Sequence, residues 1–526
     1  MEIKKVARFY NVSAGDAFCF DDCIWTYAND QKTDIGMIYL KALRLPFDMT
    51  DHGFAPNGFQ VYDELETLSG IKITQVKGNS KEELKKNVLK SLEEKHRILI
   101  SIEGNCCPWD WRYGEKDFAG GHSFFLCEAD EQKKEFIGVD PYYDISEVRL
   151  PYSCFDKGVT DAKEFSYKKR KEWTKDGIVK AIVDEKKEWN ACHDRLKMLG
   201  ANIGRMIEES LKEALMSGAF NGSYESMSQN PIYQIFETMS NDRIRFVWFL
   251  TYLSKKGIRI TDECTEAFVD SSKMWGTLKK MLVKGVIRGK IDSQGIEDKI
   301  NGIIELEKDA LEKVLLAMDG KDQEESKGQT PRKEMDYEVE FIPYDLSGFY
   351  NNVGFSSHDN ADFSGLGEVI DESSLPIGKE ISYKDIPLVM YKSDTSYDNM
   401  VCKKQTIELP TNNYTKLCLL ACTDWEEYKD IFELQYEDGS KKNAPVDIAG
   451  WMPDRNNKPD NICITAKKNI QRSRSAYEKC YFYCYELKCN QNKQLKAIRL
   501  PNNENIHVMA LTLVERKENI KNREMA

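Results

Sequence analysis

The stretch of sequence that decides the fold of the first third of the chain is Asp16-Ala-Phe-Cys-Phe-Asp-Asp-Cys-Ile-Trp-Thr-Tyr-Ala-Asn29. Its apolar residues recur at the i, i+3/i+4, i+7 spacing of one helical face, which predicts an amphipathic helix that opens near Cys19. Asp16 is the expected N-cap, and the acids of the first turn suit the positive end of the helix dipole. That end also favours a reactive thiolate and a developing oxyanion. Free cysteines are often buried, so this stretch by itself favours a structural cysteine.

Two later stretches give this cysteine possible partners. Short strands are predicted at Gly120-Gly-His-Ser-Phe-Phe-Leu-Cys-Glu-Ala129 and at Glu135-Phe-Ile-Gly-Val-Asp-Pro-Tyr-Tyr143. If these strands are antiparallel neighbours, they bring His122 and Asp140 side by side. The order Cys, His, Asp is that of papain-like thiol enzymes, in which the imidazole takes the thiol proton and the carboxylate fixes its tautomer. A single strand histidine is more often structural, but we predict that Cys19, His122 and Asp140 form a catalytic triad.

The composition indicates a soluble, cytoplasmic protein. The chain has 526 residues, enough for roughly two to four domains, and no apolar run long enough to span a bilayer. A secretion signal is not recognisable, so the 15 cysteines are expected to be reduced thiols. The net charge of −12 argues against nucleic-acid binding, and a metal site is not expected.

The pattern along the chain predicts a multidomain protein. We predict an α+β papain-like catalytic domain over 1–160, an α-helical domain over 161–318, a polar linker over 319–336, an all-β jelly-roll sandwich over 337–515 and a charged tail over 516–526. Long amphipathic helices are expected near 176–216, 230–256, 262–288 and 293–318. Tyr167-Lys-Lys-Arg-Lys-Glu-Trp173 is a short basic run in an acidic chain. We interpret this run as a solvated linker face, with docking of an acidic partner as the alternative.

The first third resembles the papain-like superfamily, and within it the N-terminal domain of the butirosin biosynthesis protein H family, a distant relative of bacteriocin leader peptidases. The resemblance is carried by four short motifs, which are Phe18-Cys-Phe-Asp-Asp-Cys23, Cys106-Cys-Pro-Trp109, Gly121-His122 and Val139-Asp-Pro141. It implies that an acyl group moves from a carrier-protein thioester to a small amine through an acyl-enzyme. Carried over to this chain, Cys19 is the nucleophile, His122 the general base and then acid, and Asp140 the orienting residue.

One departure from this resemblance concerns the oxyanion. Papain-like enzymes usually have a glutamine shortly before the cysteine, whereas Asn11, Ser13 and Asp16 precede Cys19 here. Asn11 is the side-chain candidate for the oxyanion donor, and the backbone N–H of Cys19 is the other. Trp109 and Trp111, in the aromatic loop before the His122 strand, are the candidates for lining the substrate crevice and excluding water.

The last third resembles a jelly-roll module found beside bacterial glycoside hydrolases. The motifs include Asn351-Asn-Val-Gly-Phe355, Gln405-Thr-Ile-Glu-Leu-Pro410 and Ile448-Ala-Gly-Trp451. Asn, Asp and Gly in such modules mostly build turns, so sugar binding, shaping of the acyl-binding crevice and a homodimer contact stay open as its role. We assign no pair of carboxylates as a glycosidase site.

Three functions are open at this point. The preferred one is an amide-forming acyltransferase of peptide-antibiotic biosynthesis that uses an acyl or peptidyl carrier protein as donor. It needs no cofactor, because a thioester is already activated and the sequence has no P-loop motif. The alternatives are a cysteine peptidase or amidase that uses the same triad with water, and a carbohydrate-binding protein with an inactive papain-like fold.

Overall fold

The structure, a computed structural model, describes residues 18–50, 53–57, 59–115, 120–216, 230–318, 339–452, 460–473 and 479–517. The predictions for Asn11, for the linker over 319–336 and for most of the tail over 516–526 lie outside these residues. The chain divides into two compact units. The first unit comprises Met1–Arg195 and Asn241–Val269, and the second comprises Leu196–Ser240 and Asp270–Ala526. These units differ from the predicted domains, because the helical segment contributes to both.

The first unit is built on a six-stranded sheet with the order β3-β8-β4-β5-β6-β7. The strands of this unit are β1 (Phe47–Thr50), β2 (Gly53–Pro56), β3 (Ile71–Gln75), β4 (Arg97–Glu103), β5 (Gly121–Asp130), β6 (Glu135–Asp140), β7 (Ile145–Pro151) and β8 (Val159–Tyr167), of which the first two form a separate hairpin. All neighbouring strands of the sheet are antiparallel. Strand β8 continues past residue 160, so the sheet extends beyond the predicted end of the first domain.

Short helices cover this sheet. They are α1 (Cys19–Asp30), α2 (Leu65–Ser69), α3 (Lys81–Glu93) and α4 (Tyr152–Gly158), with 3₁₀ turns at Gly36–Lys41 and Gly104–Cys106. Helix α3 is capped by Ser80, whose hydroxyl accepts a hydrogen bond from the Glu83 N–H at 3.1 Å. Its apolar face, formed by Leu84, Val88 and Leu92, is buried with the sheet residues.

Helix α1 packs on strand β5. The Tyr27 ring lies 6.2 Å from that of Phe125, and the Cys23 thiol donates to the Ser123 carbonyl at 3.6 Å. The start of the helix differs from the prediction, since Phe18 is the N-cap and makes no side-chain capping bond. Asp16, the predicted cap, lies outside the described residues. The helix start is therefore held by other contacts, which are given with the candidate site.

Four long helices follow the sheet in the sequence. They are α5 (Lys175–Met216), α6 (Pro231–Lys255), α7 (Asp262–Arg288) and α8 (Ser293–Met318). Every end lies within one residue of its predicted position, because long amphipathic periods with polar breaks are the clearest helical signal in a sequence. In the described part of the chain, no helix has the combination of length and apolar character that crossing a membrane requires.

The second unit contains an antiparallel β-sandwich. The strands of this unit are β9 (Val339–Tyr344), β10 (Glu380–Tyr383), β11 (Ile386–Val389), β12 (Met400–Lys403), β13 (Thr406–Asn412), β14 (Tyr414–Thr423), β15 (Tyr428–Tyr436), β16 (Lys441–Ile448), β17 (Ile462–Lys467), β18 (Lys479–Lys488), β19 (Leu495–Arg499) and β20 (Asn502–Arg516), of which β10 and β11 form a separate hairpin. One sheet has the order β12-β20-β14-β18-β17, with β9 also beside β20, and the other has the order β13-β19-β15-β16. The β-sandwich expected for the last third is confirmed.

The sandwich core also explains several cysteines. Cys480, Cys484 and Cys489 are buried, and burial raises the pKa of each thiol, to about 12, 11 and 12 respectively. They therefore pack as small apolar side chains and stay protonated at neutral pH.

Two buried ion pairs join helices α7 and α8 to the sandwich within the second unit. Lys284 of α7 contacts Asp424 at 2.5 Å, and Lys299 of α8 contacts Asp430. All four side chains are almost fully buried. Because a buried charge that loses its partner is strongly destabilising, these pairs fix the helices on the strands. They give a physical reason why residues 270–318 group with the sandwich.

Candidate active site

His122 and Asp140 face each other on neighbouring strands. His122 is the second residue of β5, and Asp140 is the last residue of β6. The Nε2 atom of His122 lies 2.5 Å from Oδ2 of Asp140, and both side chains are buried. The β6–β7 pairing shifts register between Gly138 and Asp140, just before Pro141 ends the strand. Such an irregularity redirects a side chain, and here the carboxylate meets the imidazole.

The Asp140 carboxylate is held entirely by donors. Its Oδ2 atom accepts from the indole N–H of Trp109 at 2.7 Å as well as from His122. Its Oδ1 atom accepts from the backbone N–H groups of Tyr142 and Tyr143 at 3.1 and 3.3 Å. Four donors around one buried carboxylate fix its orientation.

Cys19 is the first residue of α1 and is half-buried. Its side chain is hydrogen-bonded to His122. Because Nε2 of His122 faces Asp140, Nδ1 is the ring nitrogen left for the sulfur. Burial lowers the pKa of His122, but the hydrogen bonds to Asp140 and to Cys19 outweigh it and raise the pKa from 6.5 to about 9. The imidazole is therefore protonated at neutral pH.

Neighbouring thiols lack this environment. Cys23, one helical turn after Cys19, is fully buried, and burial raises its pKa well above the ordinary value. Burial also raises the pKa of Cys107, to about 12. Both thiols stay protonated at neutral pH, whereas Cys19 is half-buried and hydrogen-bonded to His122.

An ion pair shapes the loop before β5. Arg112 binds both carboxylate oxygens of Asp110, at 2.8 and 2.7 Å, and donates to the Gly120 carbonyl at 3.1 Å. The loop is thereby tied to the residue that precedes the His122 strand. A hydrogen bond also links Asp110 to Tyr143, which follows Asp140 closely in sequence. This hydrogen bond therefore joins the loop before β5 to the turn after β6, and so links the segments next to His122 and Asp140.

The two predicted crevice tryptophans have different surroundings. The Trp109 ring packs edge-on against Phe124 at 4.9 Å, and its N–H is used by Asp140. This contact makes Trp109 a positioning residue for the carboxylate. Trp111 is 69% exposed and lies 5.8 Å from the Arg112 guanidinium. Of the two, Trp111 is exposed and Trp109 is partly buried.

The start of α1 is anchored by a buried ion pair that sequence reasoning missed. The sequence places Asp21 in the first turn, where the helix dipole favours an acid, and the structure also pairs it with Arg245 of α6 at 2.9 Å and buries it. The hydroxyl of Tyr62 also donates to this carboxylate. The Arg245 guanidinium lies over the rings of Phe18 and Tyr62, at 5.1 and 5.4 Å from their centroids. Arg245 thus fixes the helical turn that carries Cys19.

Replacing Arg245 with methionine is expected to lower the free energy of unfolding by about 3 kcal/mol, because it leaves Asp21 buried without its cation. Urea unfolding of the variant measures this change. Arg245 also pairs with Asp242 at 2.7 Å, so the double variant Asp21→Asn/Arg245→Met removes the Asp21–Arg245 pair, leaves Asp242 without this cation, and should recover only part of the loss. Equal losses in the single and double variants would show that the Asp21–Arg245 charge pair does not hold the helix start.

The described residues offer no group of three or more His, Cys, Asp or Glu side chains arranged to hold a metal ion. Fold and site together define a multidomain protein with a helical middle segment, a C-terminal β-sandwich and a Cys–His–Asp constellation in the first unit. Residues 340–517 match the family described as the AziU2-like beta-sandwich domain, a family associated with biosynthesis. No curated protein matches the chain.

Proposed function

We propose that this chain is a thiol-dependent acyltransferase with a papain-like catalytic fold, which moves an acyl group from a carrier-protein thioester to an amine in peptide-type antibiotic biosynthesis. The observation that carries the proposal is the hydrogen-bonded series from Cys19 through His122 to Asp140. The papain-like resemblance of the surrounding motifs supports it. The match of residues 340–517 to a biosynthesis-associated family favours synthesis over degradation.

The chemistry requires only the three side chains and the two substrates. The Cys19 thiolate attacks the thioester carbonyl carbon, the bond from that carbon to the donor sulfur breaks, and the donor thiolate takes the His122 proton. This exchange of one thioester for another has a reaction free energy close to zero. The amine then attacks the acyl-enzyme, and its proton passes to His122 as the bond to the Cys19 sulfur breaks. The products are the amide and the free donor thiol, and the thiolate–imidazolium pair is restored.

We assign the stabilisation of the oxyanion that forms in each step to the backbone N–H of Cys19. As the first residue of α1, Cys19 has an N–H without an acceptor inside the helix. A donor at the positive end of a helix stabilises a developing oxyanion without reorganisation. Asn11 remains the proposed side-chain donor.

The test uses a small thioester. Wild-type protein is incubated with an N-acetylcysteamine thioester, and the mass of the intact protein is measured before and after a primary amine is added. We expect one acyl adduct, followed by its loss to the amide. Absence of an adduct would contradict the proposal. Release of the free acid at a rate independent of amine would favour the peptidase or amidase alternative.

The raised pKa of His122 predicts a defined pH dependence. The folded chain holds this proton more tightly than the unfolded chain does, so the stabilisation is complete below pH 6.5 and is lost as the pH rises to about 9. We expect the stability of wild type relative to His122→Gln to fall across this window, and acylation of Cys19 to slow above about pH 9. Urea unfolding and pH–rate profiles measure both changes. A stability difference that is constant across the window would contradict the ion pair.

A further inference from the structure

A basic segment follows the last strand of the first unit. Residues 168–171, Lys-Lys-Arg-Lys, come directly after β8, and all four side chains are exposed. The backbone is held at the start of the segment, where Lys168 N–H donates to the Gly70 carbonyl at 2.9 Å. Two residues past its end, the indole side chain of Trp173 donates to the Leu68 carbonyl at 3.3 Å. The segment therefore presents its charges from a fixed position, although the chain as a whole is acidic.

Cations from two other elements converge on this segment. A cavity of about 330 Å³ lies beside it, and a second one of about 420 Å³ lies against the same residues. The first is bordered by two acids, Asp34 and Glu172, and by six cationic side chains. We call these six the basic groove: Lys32, Lys169, Arg170, Lys171, Lys255 and Lys256.

The exposure of these cations favours a partner with distributed charge. Three consecutive cations of the groove are exposed: Lys169, Arg170 and Lys171. Long flexible side chains of this kind are better suited to contact an extended charged surface than to bind one small anion. Complementary charge across an interface speeds association and selects the partner. An acidic protein surface therefore fits the basic groove better than a small ligand does.

Helix α1 connects this groove to the reactive thiol. Trp25 and Asn29 of α1 border the same cavity, and Cys19 is the first residue of that helix. The ten steps from Cys19 to Asn29 rise by about 15 Å along the helix axis. A partner bound at the groove thus needs a long arm to reach the thiol. An acyl carrier protein, which is acidic and carries its thioester on a phosphopantetheine arm, has both properties.

We infer that the basic groove is the docking surface for the carrier protein that delivers the thioester. This inference rests on the proposed function, because it takes the donor from it. The convergent positive charge and the helix shared with Cys19 are the observations that support it. It gives the basic run a specific role in place of the solvated linker face expected from the sequence.

The test measures binding separately from chemistry. In a Cys19→Ala background, we compare Lys169→Glu/Lys171→Glu with the matched reversal Lys133→Glu/Lys134→Glu, which lies on the β5–β6 turn and has the same change of charge. The probe is a butyryl-loaded acyl carrier protein from bacterial fatty-acid synthesis, at low and high salt. We expect the groove variant to bind at least tenfold more weakly at low salt, and the turn variant to bind like the Cys19→Ala parent.

Three outcomes would overturn the inference. The first is that both variants bind the carrier equally well. The second is that the Cys19→Ala parent does not bind the carrier. The third is that the groove variant loses as much affinity for free coenzyme A as for the carrier, which would show that the groove recognises the phosphate-bearing arm and not the protein surface. The proposed function fails separately, if wild type forms no Cys19 adduct with the small thioester. The two failures are distinguishable because the first readout needs no thiol and the second needs no carrier.

Discussion

Replacement of Cys19 with alanine is expected to abolish the acyl adduct and to lower turnover by about 10⁵-fold or more, because no other thiol near His122 is suited to replace it. The buried thiols of Cys23 and Cys107 have raised pKa values and stay protonated at neutral pH. Mass measurement of the intact protein after incubation with a small thioester shows the adduct directly. A full adduct on the Cys19→Ala protein would mean that another side chain is the nucleophile.

Cys23→Ala is the matched control for this experiment. It removes a thiol from the same helix, four residues further on, and breaks only a weak bond to the Ser123 carbonyl. We expect it to cost about 1–2 kcal/mol of stability through lost packing and to keep the adduct. If Cys23→Ala abolished the adduct while Cys19→Ala kept it, the assignment of the two thiols would be reversed.

Asp140→Asn is expected to slow acylation about 10²–10⁴-fold, although the two side chains have nearly the same shape. All four hydrogen-bond partners of this carboxylate are donors, two on each oxygen. An asparagine must turn its NH₂ group either to His122 and Trp109 or to the backbone N–H groups of the following turn. In both orientations donors face donors, and the imidazolium loses its anion.

This variant should also change the titration of His122. Without the Asp140 charge the pKa of His122 should fall from about 9 toward its ordinary value, which NMR titration of the imidazole measures. Trp109→Phe is the control, because it removes one donor from Oδ2 and keeps both the carboxylate and the ring. It should lose less activity than Asp140→Asn. An unchanged His122 titration in Asp140→Asn would contradict the role given to the carboxylate.

The sequence allowed the elements of this fold to be predicted better than the contacts that orient the site. Periodicity located the long helices and the β-sandwich, because both patterns are local. The pairing of His122 with Asp140 followed from two adjacent strands, which is a short-range inference. The catalytic role of Cys19, His122 and Asp140 remains a proposal.

Contacts between residues distant in sequence could not be predicted in this way. Arg245 lies 224 residues after Asp21, and nothing in the local pattern of either residue indicates the partner. The Trp109–Asp140 bond likewise depends on how an irregular loop returns to the sheet. Asp21 was expected to act through the helix dipole, and the structure also gives it a buried ion pair, since a buried carboxylate needs a cation.

The distance in sequence between Asp21 and Arg245 has a consequence for the order in which the protein matures. After Asp21 a ribosome has to add 224 residues to reach the arginine whose guanidinium steadies the first helix. Nascent chains shorter than that carry the cysteine without its anchor. We therefore expect recombinant fragments that stop soon after the sheet to be poor surrogates for the intact protein, even though they contain the whole thiol–imidazole–carboxylate series.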